Sequence, residues 1–79
     1  MTGEAEMKLQ DIMRAALDLP ADASVTTARQ LTVETWDSLA HVSLMLAIEG
    51  EFGLSIAVAD QIHLTSYSAI YRYLEERGG

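Results

Sequence analysis

Apolar positions repeat with the spacing of an α-helix in three separate stretches of the chain. The first stretch runs from about Glu4 to Leu17, and the second from Ser38 to about Phe52. The third begins at residue 65 or 66 and carries apolar positions at helical spacing. No stretch shows the strict alternation of a half-buried strand. The pattern therefore predicts an all-α protein.

The connections between these helices are unequal in length. Pro20 is expected to end the first helix, because a proline pushes the preceding residue out of the α region. A long loop follows over residues 18–36, and Val25, Leu31 and Val33 are expected to turn into the core. Residues 56–64 are predicted to hold one or two helical turns. The sequence thus predicts one domain, residues 1–79, with three main helices, one short third helix and a long first loop.

The second helix has apolar residues on two nearly opposite sides. One stripe consists of Leu44, Ile48 and Phe52, and the other of Leu39, Val42 and Leu46. A surface helix of a small domain normally buries a single stripe, and we expect the Leu44 stripe to face the core. The Leu39 stripe is then either an exposed binding surface or is covered by the third helix and the long loop.

Composition narrows the possible functions. The chain has 79 residues, no Cys and a net charge of −7. So small a domain offers little room for a preorganised catalytic pocket. The negative charge disfavours binding to nucleic acid and to anionic membranes. The first residues, M-T-G-E-A-E-M-K, lack the features of a signal peptide, and no apolar run is long enough to span a membrane, so a cytoplasmic location is expected.

Ser38 stands at the predicted start of the second helix and has three possible roles. With Asp37 and His41 it has the residue types of a hydrolytic triad, but Asp37 is expected to cap the helix, which disfavours that role. His41 is expected to stack against Trp36 instead, and two isolated histidines make no metal site. Ser38 could be only a capping residue. It could also carry a phosphodiester, which the free N–H groups of the first turn would favour.

The residues around Ser38 resemble those of a known family. Asp37-Ser38-Leu39, followed by V-x-L-x-x-x-I-E-x-E-F-G-L-x-I, resembles the acyl carrier proteins, and the resemblance covers nearly the whole chain. It implies a small four-helix bundle and a 4′-phosphopantetheine group, derived from coenzyme A, on Ser38. The thiol of that group would hold an acyl cargo as a thioester. The resemblance thus implies a carrier, expected to be monomeric, rather than an enzyme.

The resemblance also implies partners and contact residues. The implied partners are a phosphopantetheinyl transferase, an acyl-loading enzyme, and synthases or acyltransferases with basic or apolar docking surfaces. Asp37 and Leu39 would flank the prosthetic group. The implied partner contacts are Trp36, Leu39, Val42, Leu46, Glu49 and Glu51.

Departures from the family pattern indicate a specialised carrier. The run 34–38 lacks the glycine that usually precedes the Asp-Ser pair, and Ala40 and Ser43 stand where typical fatty-acid carriers have acids. We therefore expect a dedicated pathway producing a polyketide, a fatty-acid-like product or a related secondary metabolite such as an antibiotic. Asp37 favours acyl cargo, with an aminoacyl or peptidyl carrier as the alternative.

Two alternatives belong to other functional classes. The chain could be a helical interaction module without a prosthetic group, which would dock a partner through the Leu39 stripe. The terminal Gly78-Gly79 is also typical of ubiquitin-like modifiers, but those folds are rich in strands. We expect Gly78 to cap the last helix instead.

Overall fold

A computed structural model describes residues 2–77 of the chain, which form four helices and no strand. The helices are α1 (Gly3–Ala16), α2 (Ser38–Phe52), α3 (Val58–Gln61) and α4 (Tyr67–Glu76). The all-α prediction is confirmed for this part of the chain. The absence of strands in residues 2–77 also contradicts the ubiquitin-like alternative. The predicted cap at Gly78 lies outside the described residues.

Local capping chemistry sets the ends of α1. The Thr2 hydroxyl accepts a hydrogen bond from the Ala5 amide at 3.1 Å and begins the helix. The helix ends at Ala16 with Leu17 as its C-cap, which is one residue from the predicted end. The contacts that close it are made by residues before Pro20. Asp18 adopts a left-handed conformation with φ of 55°, and the Leu19 amide donates back to the Arg14 carbonyl at 2.8 Å. Asp tolerates this conformation better than most residues do, and the result is a Schellman-type end.

The core is one apolar cluster to which α1, α2, α4 and the connections all contribute. Its buried members are Leu9, Met13, Leu17, Val25, Ala28, Trp36, Leu44, Met45, Ile48, Ile56, Leu64, Tyr67, Ile70, Tyr73 and Leu74. Among the expected loop contacts, Val25 is buried and Val33 is partly buried, but Leu31 is 92% exposed and was wrongly expected to face the core. Loop positions have no periodicity from which burial can be inferred.

The long first loop is fastened to the start of α4. Arg29 and Ser66 form an isolated antiparallel bridge, in which the Gln30 amide donates to the Thr65 carbonyl at 2.9 Å. The Tyr67 amide donates to the Ala28 carbonyl at 3.0 Å. These bonds hold the middle of the loop against the bundle. Within the described residues, no helix has the length and apolar character needed to cross a membrane.

Candidate functional site

The start of α2 is built by Asp37. Its Oδ1 atom accepts a hydrogen bond from the Ala40 amide at 2.8 Å, and its backbone carbonyl accepts the His41 amide at 2.9 Å. This confirms Asp37 as the N-cap. The helix ends at Gly53, whose φ of 65° suits a residue without Cβ. Both ends of α2 therefore lie where the sequence predicted them.

Ser38 is the first residue of α2 and is exposed. Its hydroxyl makes no hydrogen bond to any group of residues 2–77, because Asp37 supplies the cap. The amides of Ser38 and Leu39 belong to the first turn, which has no intrahelical acceptor for them. An exposed hydroxyl therefore stands beside unpaired N–H groups at the positive end of a helix dipole.

The hydrogen bonds of His41 do not fit the role of a catalytic base. Its Nδ1 atom accepts a hydrogen bond from the Trp36 indole N–H at 3.0 Å, and its Nε2 atom lies 2.8 Å from the Gln61 carbonyl oxygen. The Trp36 and His41 rings also stack, with centroids 6.1 Å apart, as the sequence predicted. Because both ring nitrogens and the Asp37 carboxylate are engaged elsewhere, these residues do not form a triad with Ser38.

Trp36 is buried rather than available to a partner. Its side chain is 2% exposed and belongs to the core cluster. This contradicts its expected role as a contact residue. The residue before an N-cap commonly packs against the fourth residue of the helix, and here that pair is Trp36 and His41. Trp36 therefore packs against the start of α2 from within the core.

The two stripes of α2 differ in burial as expected. Leu44, Met45 and Ile48 are buried, whereas Leu39 is 77% exposed, Val42 52% and Leu46 62%. We call Leu39, Val42 and Leu46 the apolar face of α2. The alternative that other elements cover this stripe is contradicted. The apolar face starts one residue after Ser38 and continues for two further turns.

The two acidic residues near the end of α2, which are predicted partner contacts, lie in different surroundings. Glu49 is half-buried, and its Oε2 atom accepts a hydrogen bond from the Ile56 amide at 2.7 Å, so the carboxylate holds the segment before α3. Glu51 is exposed but lies about 120° around the helix from Leu39. It lines an open groove of about 710 Å³ with α1 residues that include Met7 and Lys8. The Glu49 carboxylate is thus partly engaged within the fold, and Glu51 lies on another side of α2 from the apolar face. Their contact with a partner stays a prediction.

Two contacts at the site could not be predicted from the sequence. Nothing in the spacing indicated that the Gln61 carbonyl would meet His41, because that contact depends on where the segment after α2 places α3. The internal role of Glu49 depends in the same way on the turn at Gly53. Comparison with protein-family models found no match for the chain, and comparison with curated proteins found none either.

Proposed function

We propose that the chain is an acyl carrier protein that bears 4′-phosphopantetheine on Ser38. The observation that carries the proposal is an exposed hydroxyl, free of hydrogen bonds, at the first residue of α2. A helix cap that needed Ser38 would have engaged this hydroxyl, but Asp37 caps the helix instead. The resemblance of the D-S-L sequence and the residues after it to acyl carrier proteins supplies the chemical identity of the group.

The residues around Ser38 fit the attachment of a phosphodiester. In the transfer, the Ser38 oxygen bonds to the phosphorus that carries pantetheine, and the pyrophosphate bond of coenzyme A breaks. The nucleotide portion leaves as adenosine 3′,5′-bisphosphate, and the hydroxyl proton passes to a base on the transferase. The unpaired amides of Ser38 and Leu39 would then lie close to the new phosphate. The attached thiol would supply the thioester chemistry that a chain without Cys lacks.

The apolar face is the proposed contact for partner enzymes. These partners would be a phosphopantetheinyl transferase, an acyl-loading enzyme, and the synthases or acyltransferases of one cytoplasmic biosynthetic pathway. The first turn of α2 has no acidic residue, and Glu49 is engaged internally. Binding at the start of α2 should therefore depend mainly on apolar burial and only weakly on salt. Acyl cargo is proposed on the strength of Asp37, with aminoacyl cargo as the alternative.

The test is an intact-mass measurement after incubation with coenzyme A and a broad-specificity phosphopantetheinyl transferase. We expect wild-type protein to gain one phosphopantetheine unit. Ser38→Ala should gain nothing, and Ser43→Ala should gain as much as wild type, since Ser43 is another exposed serine on α2. Folded wild-type protein that gains no mass would refute the proposal, and so would a gain that persists in Ser38→Ala.

A helical interaction module without a prosthetic group is the second candidate. The exposure of Leu39, Val42 and Leu46 favours it, because apolar stripes of this kind are typical of docking surfaces. It predicts that folded wild-type protein gains no mass in the transferase assay, and that Ser38→Ala binds its partner as wild type does.

A further inference from the structure

The open groove of about 710 Å³ beside Glu51 lies between α1 and the end of α2. Its α1 side consists of Glu4, Met7, Lys8, Asp11, Ile12 and Ala15. The steps of three and four residues place these side chains on one side of α1, over about 17 Å of its axis. The groove therefore follows a straight helix through about three turns.

The apolar lining of the groove is only partly used by the core. Leu9 and Met13, which are buried, face the core from nearly the opposite side of α1. Met7 is 67% exposed and Ala15 is exposed, whereas Ile12 packs partly against the core cluster. This side of α1 thus has apolar surface that no other element of residues 2–77 covers, which is typical of a binding surface.

The charges along the groove select the kind of partner. Its lining has one base, Lys8, and three carboxylates, those of Glu4, Asp11 and Glu51. Asp11 pairs with Arg14 at 3.0 Å, but the carboxylates of Glu4 and Glu51 make no hydrogen bond or ion pair within residues 2–77. A partner with bases at these two positions would be attracted, and an acidic partner would be repelled.

A second copy of this chain does not meet that requirement. Two such grooves in contact would bring carboxylates against carboxylates. The apolar face of α2 offers no base, because no Lys or Arg lies between Arg29 and Arg72. The apolar stripe of α4, the helix that carries Arg72, is buried. An anionic lipid surface is disfavoured by the same carboxylates. The bases must therefore come from another protein.

We infer that this groove binds a basic amphipathic helix of a partner protein, with apolar side chains against Met7 and Lys or Arg beside Glu4 and Glu51. A helix of about three turns matches the length of the α1 side, and helices pack side by side by fitting ridges into grooves. Glu51 lies about 20 Å along α2 from Ser38, so this surface is separate from the proposed attachment site. Binding there requires no prosthetic group.

The test is an NMR titration of the isotope-labelled protein with a designed peptide. The peptide is an amidated helix of about 18 residues with a Leu stripe flanked by Lys, and the control peptide has Glu in place of each Lys. We expect shift changes concentrated at residues 4–15 and 51, weaker binding as salt is raised, and no binding of the Glu peptide. No shift change up to about 1 mM Lys peptide would overturn the inference, as would changes concentrated at the apolar face of α2.

Charge variants separate the groove from general attraction to an acidic protein. Lys8→Gln removes the base of the groove and should strengthen binding of the Lys peptide severalfold, a gain that misfolding cannot produce. Its control is Arg72→Gln, which removes an exposed base of α4 and changes the net charge equally. Glu51→Gln should weaken binding severalfold, whereas Asp22→Asn, in the exposed loop, should not. Equal effects within either pair would overturn the inference.

An apolar variant tests the other half of the contact. Met7→Gln keeps the length and helix propensity of the side chain but should weaken peptide binding about tenfold. Leu31→Gln is the control, since Leu31 is 92% exposed and does not line the groove. Equal binding by the two variants would contradict apolar docking at Met7. Dimerisation of the free protein in sedimentation, abolished by Met7→Gln, would make a second copy the occupant and overturn the inference.

Discussion

Asp37 and Ser38 are adjacent, yet replacing each of them should affect stability very differently. Asp37→Ala removes the bond from the Ala40 amide, and the loss of an N-cap costs about 1 kcal/mol. It also removes the negative charge at the start of α2, whose first turn has no other acid, at a cost of roughly 0.5 kcal/mol. The sum is about 1.5 kcal/mol of unfolding free energy. For a domain of this size, that lowers Tm by about 6 to 12 °C.

Ser38→Ala should have almost no effect on the fold. The hydroxyl is exposed and makes no hydrogen bond within residues 2–77, so the free energy of unfolding should change by less than about 0.5 kcal/mol. If Ser38 were the cap, the loss would be about 1 kcal/mol instead. Asp37→Asn is the matched control. Asn caps as well as Asp, so only the charge contribution of roughly 0.5 kcal/mol should be lost.

The assay is thermal and urea unfolding of the four proteins at pH 7, followed by far-UV circular dichroism. Two results would refute the reasoning. One is a loss in Ser38→Ala as large as that in Asp37→Ala, which would make the serine the true cap. The other is a loss in Asp37→Asn equal to that in Asp37→Ala, which would mean that charge, and not the hydrogen bond, dominates. The expected result would also establish that Ser38→Ala is a folded control for the mass measurement.

Two further predictions follow from burial. Leu44→Ala should lower the free energy of unfolding by about 2 to 5 kcal/mol because Leu44 is fully buried. Leu39→Ala should change it by less than about 0.5 kcal/mol because Leu39 is exposed. Equal losses in urea unfolding would contradict the assignment of Leu44 to the core and Leu39 to the apolar face. Burial, with a smaller contribution from the Glu6 carboxylate, raises the pKa of Tyr67 above its ordinary value of 10.0, although a hydrogen bond from Gln10 acts in the opposite direction. As pH rises, the Tyr67 hydroxyl of the unfolded chain therefore loses its proton before that of the folded chain does. The contribution of Tyr67 to stability should be complete below pH 10 and decline above it. A Tyr67→Phe variant, measured by urea unfolding from pH 8 to 11, should lack that component of the decline.

The sequence predicts the structure correctly where contacts between neighbouring residues decide it. The bounds of α2 follow from Asp37, whose carboxylate suits an N-cap, and from Gly53, which accepts a left-handed conformation. Helical spacing also separated Leu44 from Leu39 correctly. Each of these features depends on residues that are close in sequence, so the pattern carries the information needed to predict it.

The failures involve contacts between distant residues or positions without periodicity. Leu31 is exposed although its side chain is as apolar as those in the core, because the path of the loop decides its burial. The internal bond of Glu49 could not be predicted, because the turn after α2 brings the Ile56 amide to its carboxylate. The burial of Trp36 required knowing that His41 would satisfy the indole N–H, which would otherwise be costly to bury.

The bridge between Arg29 and Ser66 has a consequence for the order of folding. It joins positions separated by almost half of the chain, and it connects the middle of the first loop to the residue that caps α4. Closing so long a segment is entropically costly, so the bridge should form late, after α1 and α2 have associated. The loop that leads to Ser38 would then become ordered only when α4 docks. In a nascent chain, the loop before the proposed attachment site would therefore stay unfixed until synthesis had passed α4.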